Sequence, residues 1–293
     1  MYSDIVANKV KTGVIVTIFL LMITFMVYFI CNWIGLGEYA VIIAIGVSIL
    51  TTVGTYYNSD KLVLAQVNAR KATHEEDIQL TNILDGLMVA SGLKHKPELY
   101  VVDSAQPNAF ATGRDPEHAV ICVTKGLIEK LNYYELEGVV AHEMGHIKNY
   151  DIRLSCIISI MVGFVVMLSE MVFRGFYRTS GRKNNNSNAL LMVIGLIFLI
   201  ISPIASNLIK LAVSRRREYL ADATAVSFTR NPSAMISALE KISSDPNEYE
   251  YASKSTEHMY ISNPFKFDKN KTNLFSTHPS IPDRINAIKN LKY

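Results

Sequence analysis

Paired cysteines are absent. Cys31, Cys122 and Cys156 are the only cysteines in 293 residues and show no framework spacing. That excludes a disulfide-stapled secreted fold and leads us to expect buried free thiols in a reducing, cytosol-facing protein. Internal repeats, a glycine-rich phosphate loop and nucleic-acid motifs are also missing, so nucleic acid is not an expected partner. The last four residues, NLKY, contain no prenylation box.

Charge is missing over long stretches. Residues 12–37 and 39–59 contain no Asp, Glu, Lys or Arg, and each is about the twenty residues that a helix needs to cross a bilayer core. Residues 154–173 are broken only by Glu170, and residues 189–209 are free of charge but carry Pro203, which a membrane helix tolerates as a kink. The first stretch is longer than a signal-peptide core and is followed by no small-x-small cleavage site, so a retained anchor is expected. About four hydrophobic spans are therefore expected. They divide the chain into an N-terminal hairpin (1–60), a first polar part (61–153), a second hydrophobic hairpin (154–212) and a second polar part (213–293).

The placement of basic residues gives an orientation. Lys9 and Lys11 precede the first span, the link GLGEYA has no basic residue, and Lys61, Arg70 and Lys71 follow the second span. The positive-inside rule puts these flanks, and the protein's polar bulk, in the cytoplasm of a multi-pass protein of the cytoplasmic (inner) membrane. Arg153, Lys210, Arg215, Arg216 and Arg217 agree, whereas Arg174, Arg178, Arg182 and Lys183 in the link between spans three and four do not.

Between spans two and three the composition is that of a globular protein. Ile78, Leu80, Leu84 and Leu87 mark an amphipathic helix from His74 to a stop at Gly92. ELYVV (98–102), NAFAT (108–112) and AVICVT (119–124) read as strands, with His118 a solvated residue of the turn between the last two. Asn132 and Glu135 form a capping box for a helix through residue 147 or so. A further helix runs from the fourth span to about Phe228. Another starts at the Asn231 cap with Pro232 in its first turn, and a short one closes the chain. The region 244–273 is a loop by composition, and its His258 has no evident partner. The fold class is mostly α with a small β-sheet.

One of these helices carries VVAHEMGHIKNYD, residues 139–151. His142 and His146 are four apart and so face the same way on a helix. Two imidazole nitrogens favour zinc over calcium or magnesium. Glu143, rotated by about a hundred degrees, is placed to act on a water rather than as a ligand, as a general base. Gly145 costs a helix interior about 1 kcal/mol, which makes sense if another backbone approaches there. A catalytic zinc takes a third protein ligand, and Glu218 in SRRREYLADATA is the best candidate. Asp222, one turn on, is placed to fix the tautomer of a ligand imidazole. Spacing alone leaves open that both are surface acids answering the arginines.

VVAHEMGHIKNYD, SRRREYLADATA and STHPSIPDRI, with paired apolar spans on either side of the first motif, resemble the HtpX family of membrane zinc metalloproteases, relatives of the CAAX prenyl proteases. The resemblance covers nearly the whole chain and implies a zincin-like, membrane-integral protease. It implies one Zn2+ held by His142, His146 and Glu218, with Glu143 as base and Asp222 supporting a ligand histidine. It also implies a strand like NAFAT along the cleft, making Asn108, Ala109 and Phe110 candidate substrate contacts, and a segment containing His278 near the metal as a candidate transition-state or gating group. Arg284 is expected to hold the last helix in place. Arg215, Arg216 and Arg217 are expected mainly as an interface anchor, with at least one of them pairing with Asp222 or substrate. Helix capping is the plainest role for Asp151. The implied substrates are unfolded or damaged membrane proteins in the lipid bilayer, cut for quality control. A non-catalytic scaffold with structural zinc and a prenyl-tail protease are the alternatives. A spare Glu143 speaks against the first, and the small number of spans against the second.

Overall fold

A computed structural model describes residues 2–33, 35–164, 214–247, 255–264 and 279–291. Helix α1 (Tyr2–Trp33) and helix α2 (Tyr39–Tyr57) form a hairpin. Small residues of α2, Ala40, Ala44 and Ser48, are buried at the crossing, and the Ser48 and Thr24 hydroxyls bond to each other at 2.7 Å. Both helices are long and apolar enough to cross a membrane, and only 22% of each apolar window is buried. Leu21, Phe25, Ile42 and Leu50 point outward, the reverse of a soluble core helix.

Of the four hydrophobic runs, these two are found as candidate spans among the described residues. The run 154–173 is described only to Phe164, as part of a helix over 151–164 (α7), and the run 189–209 lies outside the described residues. Helix α7 packs Leu154, Ile158 and Met161 onto Ile15, Phe19 and Ile23 of α1, so α1 touches both its hairpin partner and the segment that follows the H-E-x-x-H motif.

The polar bulk begins with α3 (Ser59–Gln66), the two-residue strand β1 (Arg70–Lys71) and α4 (His74–Ser91). Strands β2 (Glu98–Val102), β3 (Ala109–Gly113) and β4 (Ala119–Thr124) stand where β-branched and aromatic residues place them. The sheet order is β1-β2-β4-β3, with β2 parallel to β4 and the other pairs antiparallel. Strand β3 is thus an edge. Strand β1 was too short to be read from sequence. His118 is exposed in the turn before β4, its Nδ1 2.7 Å from Asp115 Oδ1.

After α5 (Lys125–Lys130) comes α6 (Tyr133–Lys148), opened by the Asn132–Glu135 capping box. Helix α6 is nearly all buried, against β3, α4 and two later helices, α8 (Arg215–Thr229) and α9 (Pro232–Ser244). Its core joins Leu136, Val140 and Met144 to Ala225, Met235 and Leu239 and, from the last helix α10 (Ile281–Lys289), to Ile288. Gly145 is where α8 comes closest: a Cβ there would lie 3.3 Å from Thr224 Cβ and 3.4 Å from Ala221 Cα. The helix penalty of this glycine is the cost of bringing the two site-bearing helices together.

Gly126 at the start of α5 is tighter still, since an added Cβ would sit 2.0 Å from the Ala105 carbonyl oxygen. That oxygen belongs to the turn leading into β3. Gly126→Ala should therefore destabilise the fold by about 1–3 kcal/mol, the usual cost of overpacking, seen as a lower melting temperature.

The region read as a polar loop is partly structured. Residues 255–264 lie along β3, with Tyr260 and Ile261 each 1% exposed. The Ile261 N–H donates to the Ala109 carbonyl at 2.9 Å, and Asn108 Nδ2 donates to the Ser262 carbonyl at 3.0 Å. Composition hid this because the segment is buried by covering a strand edge, not by forming a periodic element of its own.

Candidate active site

The i, i+4 spacing on α6 sets His142 and His146 one turn apart, with their Nε2 atoms 3.2 Å from each other. Helix α8 brings in Glu218, whose carboxylate lies 3.5 Å from His146 Nε2 and 3.8 Å from His142 Nε2. The three ligand atoms fall within 4.8 Å of one another, close enough to hold a metal ion.

Each imidazole is oriented from behind. His142 Nδ1 donates to Asp222 Oδ1 at 2.9 Å, and His146 Nδ1 donates to Asp151 Oδ2 at 3.0 Å. With both Nδ1 positions used, both Nε2 lone pairs face Glu218, as a shared cation requires. Glu143 is 1% exposed, and its carboxylate oxygens make no close hydrogen bond among the described residues, although the Ala111 backbone helps to hold the charged form. Buried carboxylate oxygens without partners are costly, and a cation with its water in this cavity would satisfy them. The residues therefore fit a divalent ion with nitrogen and oxygen ligands.

Electrostatics separate the roles. Burial pushes Glu143 up to about 7, helped by Glu218 and opposed by His146, which poises it near neutrality as a base should be. Burial holds His142 below the ordinary histidine value despite Asp222, so it is neutral and ready to bind a metal. For His146, burial is outweighed by Asp151 and Glu218, which raise it to about 9. His146 must give up that proton to become a ligand, so metal affinity falls as the solution is acidified. Asp222 stays below the usual carboxylate range because Arg284 and His142 overcome its burial.

The sequence reading missed two of these partners. Asp151 is not a helix cap: it is the support of His146. Five residues is the wrong spacing for one helix face. The chain instead turns back at Tyr150, whose φ of 59° lies in the left-handed region. Arg284 is 0% exposed and does more than hold α10. It grips both oxygens of Asp222 at 2.8 and 2.6 Å and donates to the Ile261 carbonyl at 2.7 Å. The arginine on Asp222 is thus Arg284, not one of the 215–217 run. From that run, Arg217 approaches Asp151 at 3.7 Å.

Asn108 and Phe110 are buried, Phe110 edge-on to Tyr260 with ring centroids 5.2 Å apart. Ala109 is bonded to residue 261. The next residue of this edge to turn its backbone groups away from β4 is Ala111, and it lines the cavity together with Glu143, His146 and Glu218. His258 lines the same cavity, its Nε2 3.1 Å from the Ser155 carbonyl. The candidate gating residue His278 lies outside the described residues.

Residues 74–292 match the family model of Peptidase family M48. A "Protease HtpX homolog" of Dictyoglomus thermophilum is 41% identical over 288 residues, covering 98% of this chain and 94% of that protein. A protein of the same name from Thermoanaerobacter pseudethanolicus is 39% identical over 297 residues, covering 99% and 98%. One from Listeria monocytogenes is 40% identical over 314 residues, covering 99% and 100%. Among solved structures, the crystal structure of S. mikatae Ste24p aligns with a TM-score of 0.47 and 17% identity, over 98% of this chain and 67% of that one.

Proposed function

The chain belongs to peptidase family M48, among proteins named as HtpX-type proteases, and from this membership we propose that it is a membrane-integral zinc endopeptidase. The observation that carries the reading is the convergence of His142, His146 and Glu218 within 4.8 Å, beside a buried Glu143 with no close hydrogen bond among the described residues.

One Zn2+ per chain would be held by His142, His146 and Glu218, leaving a position open, and when bound it supplies Lewis acidity to the scissile carbonyl and to water. Glu143 takes the proton of the attacking water and delivers it to the departing amine. Asp222 and Asp151 keep the two imidazoles in the tautomer that binds metal. The substrate backbone pairs with the β3 edge at Ala111, where the strand faces the cavity, as an extended peptide added to a sheet. Asn108 and Ala109 take part indirectly, since their contacts with residues 261 and 262 close the edge beyond that point. The enzyme would sit in the cytoplasmic membrane through its two outward-facing apolar helices, with the site on the cytoplasmic side, a reading supported by the basic flanks Lys9, Lys11, Lys61, Arg70 and Lys71. Its substrates would then be cytosol-exposed parts of misfolded membrane proteins.

The test is zinc content and cleavage of an unfolded protein such as casein by the purified full chain beside Glu218→Ala. The parent should hold one zinc and cleave. Glu218→Ala should lose both stoichiometric zinc and detectable cleavage, since one ligand of three is gone. Full zinc occupancy in Glu218→Ala would overturn the assignment.

A further inference from the structure

The start of α1 reaches the metal-binding cluster from outside the protease core. Asn8 is 4% exposed although it opens a helix whose outer face is apolar. Its Nδ2 donates to Asp151 Oδ1 at 2.7 Å, and its Oδ1 accepts from Arg217 Nη1 at 3.4 Å. The other oxygen of the same Asp151 accepts from His146. Asn8 therefore bridges the support of one histidine and the helix that carries Glu218. Without it, the remaining charged group at Asp151 Oδ1 among the described residues would be Arg217 Nε at 3.7 Å, too long for a hydrogen bond.

A second contact from α1 holds the same turn. The Lys9 ammonium lies 4.7 Å from the centroid of the Tyr150 ring, with the Arg153 guanidinium 5.4 Å from it. Tyr150 is the residue with φ of 59° that returns the chain to His146. A bulky residue in that region persists only where its surroundings hold it, and here part of the holding comes from α1.

We propose that Asn8 is a positioning residue of the metal centre: it fixes the Asp151 carboxylate against His146, so that ligand geometry depends on α1 being seated against the protease body. This rests on the reading of His146 as a metal ligand. Asn8 touches neither substrate nor metal.

The experiment uses the full chain in detergent, loaded with Co2+, and reads the visible d–d spectrum and the metal dissociation constant by chelator competition. Asn8→Leu keeps the branched heavy-atom outline and suits an apolar helix, and Asn8→Asp sets a second carboxylate against Asp151. Asn8→Asp/Asp151→Asn restores an acid–amide pair with the roles exchanged. Thr12→Val, one turn along α1 at a buried hydroxyl without a partner among the described residues, is the control. The expected result is about 10–100-fold weaker metal binding in both single Asn8 variants, the range typical of lost ligand supports. An altered Co2+ spectrum should accompany it, with recovery of at least part of the affinity in the exchanged pair and no change in Thr12→Val. Parental affinity and spectrum in Asn8→Leu and Asn8→Asp would overturn the proposal and leave the functional reading intact. Equal losses in Thr12→Val would overturn it by showing only general damage to α1. A parent chain that binds no metal would overturn the functional reading itself.

Discussion

Glu143→Gln is expected to retain the metal and to lose peptidase activity by about 10²–10⁴-fold in kcat/KM, the usual contribution of a positioned general base. The substitution keeps the shape of the side chain and removes only its ability to take a proton. Because Glu143 is not one of the converging ligands, metal content should equal that of the parent. The parent should also show an acid limb that the variant lacks. Burial raises the Glu143 carboxyl to about 7, the base form exists above that value, and activity is therefore lost as pH falls through it. A bound cation favours the carboxylate and moves the limb below 7. A pH profile of kcat/KM from 5 to 9 checks both points. A variant as fast as the parent would remove Glu143 from the mechanism.

The second large effect is on stability. Arg284→Met should destabilise the protein by about 3–5 kcal/mol, because it strands the buried Asp222 carboxylate and leaves the Ile261 carbonyl without its donor. For a protein of this size that is about a 10 °C fall in melting temperature. Arg284→Lys should recover little of it, since an ammonium cannot make the paired contact at 2.8 and 2.6 Å that the guanidinium makes with Asp222. Metal retention should fall in both variants, because Asp222 also orients His142. A melting temperature within 2 °C or so of the parent would show that the pair carries no net stability.

What could be read from the sequence follows a physical rule. His142, Glu143 and His146 were legible because they share one helix and a period. Glu218 and Asp222 were legible for the same reason, although spacing alone left open that both were surface acids answering the arginines. Asp151 was not, since reaching His146 needs a left-handed residue at Tyr150, and nothing in the type of that residue announces it. Arg284 and Asn8 were hidden by distance along the chain, as each joins an element far from its partner. The strands were legible from their β-branched residues. The cover over β3 was not, because its residues are polar in composition and buried by position. Of the four apolar runs, the first two are long helices, and the others lie partly or wholly outside the described residues.

The grip of Arg284 on Asp222 also bears on how the protein is made. A ribosome releases the H-E-x-x-H helix first, then α8, and α10 last. Until that helix docks, Asp222 lacks its guanidinium partner, and His142 leans on an acid that is not itself held. The metal-facing pose of His142 is thus expected to be fixed late in folding, when α10 docks and Arg284 closes on Asp222.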